Sequence, residues 1–180
     1  MKNQNTKKLA YAALFLALCL VLPMLTGQIP QIGSMLLPMH IPVLLCGLVC
    51  GWQYGAAVGF VAPLLRSVLF GMPPMYPVAI AMAFELLTYG LVIGLVYRRM
   101  AQKGAAGVYA ALLTAMVAGR LVWGVAEVVL LGLSGKAFTA QAFLAGALLN
   151  AVPGIIVQLV LIPAVMAALQ KAGAVKQYAE

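Results

Sequence analysis

Apolar residues run through this chain in blocks of about 17 to 25, a length that crosses a hydrocarbon core of roughly 30 Å as an α-helix. Reading those blocks between turn signals predicts six helices, over Leu9–Leu25, Leu36–Cys50, Ala56–Phe70, Val78–Arg98, Val108–Leu131 and Ala142–Gln170. The connections read "TGQIPQIGSM", "GWQYG", "GMPPMYP", "RMAQKGAAG" and "GLSGKAFTAQ". Each carries Gly or Pro, the residues that punctuate helices. The first block, "KKLAYAALFLALCLVLPMLTG", has a basic start like a leader peptide. Its apolar run is longer than a leader needs and no small-x-small cleavage site follows, so it is read as a retained helix. The expectation is an all-α integral membrane protein, a single domain over residues 1–180.

Charge orients the bundle. With the N-terminus inside, Lys2, Lys7, Lys8, Arg98, Arg99, Lys103, Lys171 and Lys176 fall on the cytoplasmic side and Lys136 alone faces out. Such an asymmetry is what the positive-inside rule requires, and it makes both termini cytoplasmic.

The remaining polar residues lie inside spans. In "AMVAGRLVWGVAEVVLLG", Arg120 and Glu127 interrupt an otherwise lipid-compatible helix. A charge in hydrocarbon costs roughly 3 kcal/mol or more, so each must face protein or a cavity. Seven residues place the two on nearly one face, about 10 Å apart along the axis, too far to pair directly. Trp123 lies between them and offers an aromatic plane. The assumed topology puts His40 at the start of the second helix, Arg66 at the end of the third and Glu85 about two turns into the fourth. Asn150 falls at a similar depth in the sixth, Arg120 near mid-depth, and Glu127 near the outer end of the fifth. All six map to the midplane or outer half. A channel or proton relay strings polar groups through the full depth; this distribution describes a pocket that opens outward and is closed below. The residues also allow internal ion pairing of Arg120 and Glu127 with Glu85 or Arg66, and a snorkelling Arg66. A capping or interfacial role for His40 and an interhelical hydrogen bond for Asn150 stay open as well.

Composition removes several functions. The chain of 180 residues is 65% hydrophobic and 8% charged with mean hydropathy +1.08, too little charge to coat a soluble domain. Its net charge of +8 flanks spans rather than forming one basic face, which reads as topology and lipid-headgroup contact and not as nucleic-acid binding. No GxxxxGK[ST] loop is present, so the chain has no ATP-binding loop of that kind. No GxSxG, HExxH or second histidine supports catalysis. Cys19, Cys46 and Cys50 lie in spans, with a spacing that suits neither a redox pair nor a zinc ribbon. Met35, Met39, His40, Met72 and Met75 near the outer mouth suggest a soft-metal site, but one imidazole is a sparse ligand set and methionine is a common packer. No metal and no cofactor are expected. Trp52 and Tyr54 read as interfacial anchors.

Together these features resemble the substrate-binding S component of an energy-coupling factor (ECF) vitamin transporter. The resemblance is carried by "HIPVLLCGLVCGWQYGAAVGFVAPLLRSVLFGMPP" (His40–Pro74), "AIAMAFELLTYGLVIGLVYR" (Ala79–Arg98) and "NAVPGIIVQLVLIPAV" (Asn150–Val165). In the first helix Ala13 and Ala17 match the family's AxxxA motif. The resemblance implies a membrane-embedded subunit that binds a vitamin or related micronutrient at the outer side. It also implies docking on a transmembrane coupling subunit carried by two cytoplasmic ATPases. Ala13 and Ala17, extended by Ala10, would form the docking face, small residues letting a partner helix approach closely. The first, third and fifth connections would act as outer gates, with "GQIPQIGSM" and "GMPPMYP" as lid candidates. Arg120, Trp123, Glu127, Glu85, Arg66, Asn150 and His40 are the candidate substrate-binding residues. Two arginines suit a carboxylate or phosphate, and two glutamates suit amide, amine or hydroxyl donors. Pantothenate carries both kinds of group and is the leading expectation; a self-sufficient secondary transporter or a metal (Cu/Ni/Co) uptake protein is the alternative.

Overall fold

A computed structural model describes residues 2–25, 35–100, 103–146 and 150–173 of the chain. The "GQIPQIGSM" lid candidate falls almost wholly outside them. Among the described residues seven α-helices are seen: α1 (Lys2–Leu25), α2 (His40–Cys50), α3 (Trp52–Phe70), α4 (Ile80–Met100), α5 (Ala105–Leu133), α6 (Ala140–Leu144) and α7 (Val152–Lys171). A π-helical turn, Met75–Ala79, leads into α4. Five of these segments are long and apolar enough to cross a membrane; α2, with 11 residues, spans only about 16 Å. The all-helical bundle agrees with the expected class, and the helix count differs at the last span.

There the sequence suggests one helix from Ala142 to Gln170, and the structure breaks it. Thr139 caps the short α6, its hydroxyl accepting the Ala142 N–H at 3.1 Å. Pro153, without an N–H, sits in the first turn of α7, where that group would have no helical partner anyway. Asn150 therefore lies before α7, exposed, and not two turns into a span.

The packing of α2, α3 and α4 depends on glycine. A side-chain carbon at Gly90 would lie 2.1 Å from the Gly55 backbone, and one at Gly59 would lie 2.2 Å from the Leu86 carbonyl oxygen. At Gly47 and Gly94 the same carbon would lie 2.8 Å from the Gly90 carbonyl oxygen and 2.5 Å from the Trp52 backbone. Small residues allow backbone-to-backbone approach in a membrane, where hydrophobic burial between helices drives little. The single residue between α2 and α3, Gly51, has φ 97°, a conformation other residues rarely take.

The flanking helices bury narrower stripes. On α1 these are Ala12, Phe15, Cys19 and Pro23; on α7 they are Gly154, Gln158, Ile162 and Met166. Both recur every three to four residues, the period of one helix face. The inner end of α7 is tied to α4 by Gln170, whose Nε2 donates to the Tyr97 hydroxyl at 3.2 Å. The outward faces are apolar and exposed, among them Leu121, Val125 and Val128 of α5, as a lipid-facing surface requires.

Candidate functional site

Glu85 is the centre of the polar cluster. It faces inward from α4, 1% exposed, where its Oε1 lies 3.0 Å from Arg120 Nη1 on α5 and 3.4 Å from His40 Nε2 on α2. Three helices thus converge on one carboxylate. Tyr89 stands one turn along α4 from Glu85, on the same face. Its ring meets the His40 ring edge-on at 5.2 Å. The other flank of the Tyr89 ring rests on Gly119, where a side-chain carbon would come within 2.6 Å. Gly119 thereby brings the backbone next to Arg120 against Tyr89. Further along α4 come Gly90, Ile93 and Gly94, all buried in the glycine-packed core. Tyr89 is the floor of the site, and the bundle below it is sealed and apolar.

The cluster is incompletely satisfied. His40 Nδ1, Arg120 Nε and Nη2, and Gln158 Nε2 are sealed from solvent without a hydrogen-bond partner among the described residues. Buried unpaired donors each cost about 1–3 kcal/mol, so a group of them is unusual in a purely structural network. Gln158 stands on α7, buried with its amide nitrogen unpartnered. Gly154 packs on the backbone of Met35 and Leu36, just ahead of α2, and Gln158 is one turn further along the same face.

Going outward on α5, Arg120, Glu127 and Ser134 recur at seven-residue spacing and share one face. Glu127 is 6% exposed and has no ion pair or hydrogen bond among the described residues. Ser134 is engaged: its hydroxyl lies 2.9 Å from the Tyr76 hydroxyl and 3.1 Å from the Leu130 carbonyl oxygen, its single proton shared between them, and the Tyr76 hydroxyl also donates to Leu130 O. The π-helical turn of the third connection is thus fastened to the outer end of α5, one to two turns above Glu127. Trp123, on the adjoining edge of that face, packs toward α6. It stacks on Phe143 at 6.1 Å, meets Phe138 edge-on at 5.7 Å, and has Gly146 against its ring. The outer groove beside it, lined by Leu121, Val125, Val128 and Phe138, is apolar and lies on a different face of α5.

Of the sequence-based candidates, His40, Glu85 and Arg120 meet directly, and Glu127 shares the Arg120 face two turns along α5. The others lie apart. Arg66 is 3% exposed, lies over the Phe70 ring at 5.3 Å and donates from Nη1 to the Leu20 carbonyl of α1. With the Cys19 thiol, which donates to Met39 O at 3.6 Å, it fastens α1 to its neighbours. Ala10, Ala13 and Ala17 are exposed on the side of α1 opposite its buried stripe. The candidate list leaves out Tyr89, Gln158 and Tyr76. Tyr89 carried a signal, its four-residue spacing from Glu85; Gln158, the lone amide among apolar neighbours of the last helix, carried another.

The model of the ECF transporter substrate-specific component matches residues 7–166. No curated protein and no solved structure matches the chain. A match over most of the chain, on a bundle whose helices can span a bilayer, settles its family: the chain belongs to the substrate-specific components of ECF transporters, multi-pass proteins of the cytoplasmic membrane.

Proposed function

We propose that this chain captures a small water-soluble vitamin or related micronutrient in the outer half of its bundle. The observation that carries the proposal is the set of sealed, unpartnered nitrogens on His40, Arg120 and Gln158, the first two meeting at Glu85. They come from α2, α5 and α7, so a solute with oxygen acceptors would bridge three helices at once. Glu85 holds the Arg120 guanidinium in place, as a partnered carboxylate orients a binding arginine. Pantothenate is the leading candidate for this acceptor side, since its carboxylate suits the two free guanidinium nitrogens.

As a family member the chain works with an ECF module of a coupling subunit and ATPases. The exposed stripe of Ala10, Ala13 and Ala17 supports docking of a coupling helix on α1, where nothing bulky bars close approach. Catalysis plays no part in this reading.

The first test is a thermal-shift screen of the purified chain against B vitamins and their precursors. A ligand that binds the folded state adds RT ln(1 + [L]/Kd), roughly 4 kcal/mol at a thousandfold excess over Kd. A single strong hit is expected; a folded protein that no member stabilises would count against solute capture. Replacing Ala13 and Ala17 with leucine is expected to abolish uptake in cells while leaving the thermal shift intact, and loss of the shift would remove the docking role.

A further inference from the structure

We infer that Glu127 is a cation subsite, so that the cargo carries a protonated nitrogen about two helical turns outward of the group that engages Arg120. The inference rests on the solute-binding reading and adds to it a requirement that pantothenate does not meet.

The argument is one of charge and placement. Glu85 has its counter-charge in Arg120, 3.0 Å away. Arg66, the other basic residue within a span, is committed to the Leu20 carbonyl and the Phe70 ring. Lys136, beyond the end of α5, is exposed and makes no ion pair with Glu127. Glu127, only 6% exposed, is therefore the uncompensated carboxylate among the described residues. A buried carboxylate without a partner is expensive at membrane depth. Its neighbours do not relieve it. Toward the interior, Arg120 is held by Glu85; toward the outside, Ser134 and Tyr76 bond each other and Leu130. Glu127 thus sits on one helix face between Arg120, whose charge is met by Glu85, and the bonded Ser134 and Tyr76 hydroxyls, beneath the fastened third connection. The stretch of α5 from Arg120 to Glu127 is about 10 Å long, which sets the separation of the two poles. A solute with an acceptor at one end and an ammonium, amidinium or protonated ring nitrogen at the other would pair both.

The test uses the full chain in lipid nanodiscs with four probes. Pyridoxamine and pyridoxine differ by an ammonium in place of a hydroxyl; thiamine is a permanent cation, and pantothenate an anion. The expected result is that pyridoxamine or thiamine binds the wild type at least tenfold more tightly than pyridoxine or pantothenate. Glu127→Gln should bring that preference to within about twofold, because the amide keeps the shape and loses the charge. Wild-type preference for pantothenate or pyridoxine overturns the cation subsite and leaves solute capture standing. A cation preference that survives Glu127→Gln assigns the discrimination elsewhere and also overturns it. A folded wild type that binds none of the four overturns it too, and the vitamin screen then decides the solute-binding reading on its own. If the variant does not fold, wild-type preference for pyridoxine or pantothenate still overturns the subsite.

Discussion

The seam of α2, α3 and α4 and the polar face of α5 lie side by side and are built on opposite terms. In the seam, glycines bring backbones together so closely that a side-chain carbon at Gly90 would fall 2.1 Å from Gly55. The atoms that meet there are the glycines' own backbones, the Leu86 and Trp52 backbones and the Ile93 side chain. On the α5 face, long side chains from three helices reach a common point, and several of their donors have no partner. Close packing gives van der Waals cohesion where lipid offers no hydrophobic drive, and it fixes the backbone that carries Glu85. The polar face gives up some stability for recognition, as functional sites in rigid scaffolds do. The seam should therefore answer to volume and the face to charge.

The largest effect is expected in the seam. Gly90→Leu should yield no folded protein, and Gly90→Ala should cost as much as or more than the roughly 1–3 kcal/mol usual for overpacking, since backbone cannot swing aside as a side chain can. Gly132 in α5, with nothing within 4 Å of an added carbon, is the control. Gly132→Ala should be neutral or stabilising by up to about 1 kcal/mol through helix propensity. Thermal unfolding in detergent reads both. Equal losses at the two positions would mean that close approach does not hold α3 against α4.

The next effect separates the two acids. Glu85→Ala leaves Arg120 buried without its counter-charge and should cost about 3–5 kcal/mol. Replacing the pair together, Glu85→Leu with Arg120→Met, should recover most of that loss, because no charge is then stranded. Glu127→Gln should change the stability of the ligand-free protein by less than about 1 kcal/mol, as it strands no partner. If Glu127→Gln proves as costly as Glu85→Ala, Glu127 has a structural partner and the contrast between the two fails. The same thermal unfolding measurement decides it.

Much of this organisation could be read from the residues, and the reasons it stops are physical. Long apolar blocks and the cost of charge in lipid expose the helices and single out Arg120, Glu127 and Glu85, because few residues in such a chain can be there by chance. Partners are harder. Glu85 meets Arg120 and His40 across three helices, and helix periodicity says which residues share a face without saying which faces meet. Arg66 shows the limit clearly. It reads as a surface snorkeller or a ligand arginine, yet its partner is a backbone carbonyl of α1, an acceptor that every residue has and no sequence pattern marks. Tyr89 goes unlisted for the opposite reason: uncharged, it reads as an apolar body, and its role comes from Gly119 making room for its ring. The broken last helix is legible in hindsight from Pro153, which starts a helix as readily as it interrupts one.

The smallest effect concerns how firmly the third connection is held over the face. Tyr76 gives up one hydrogen bond to Leu130 O and the contact with Ser134 when its hydroxyl is removed, and its ring remains in place. A single exposed hydrogen bond contributes about 0.5–1.5 kcal/mol. Since 1.4 kcal/mol is a factor of ten, Tyr76→Phe should speed amide hydrogen exchange across residues 75–79 by roughly two- to tenfold, exchange there following local opening. Ser134→Ala should produce less, because Tyr76 keeps Leu130 O as its acceptor. Peptides covering residues 86–94, in the seam, should exchange unchanged in both variants. Faster exchange in the seam as well would show that the outer fastening supports the whole bundle. The two regions would then be one cooperative unit, and the separation of packing from recognition drawn above would be lost.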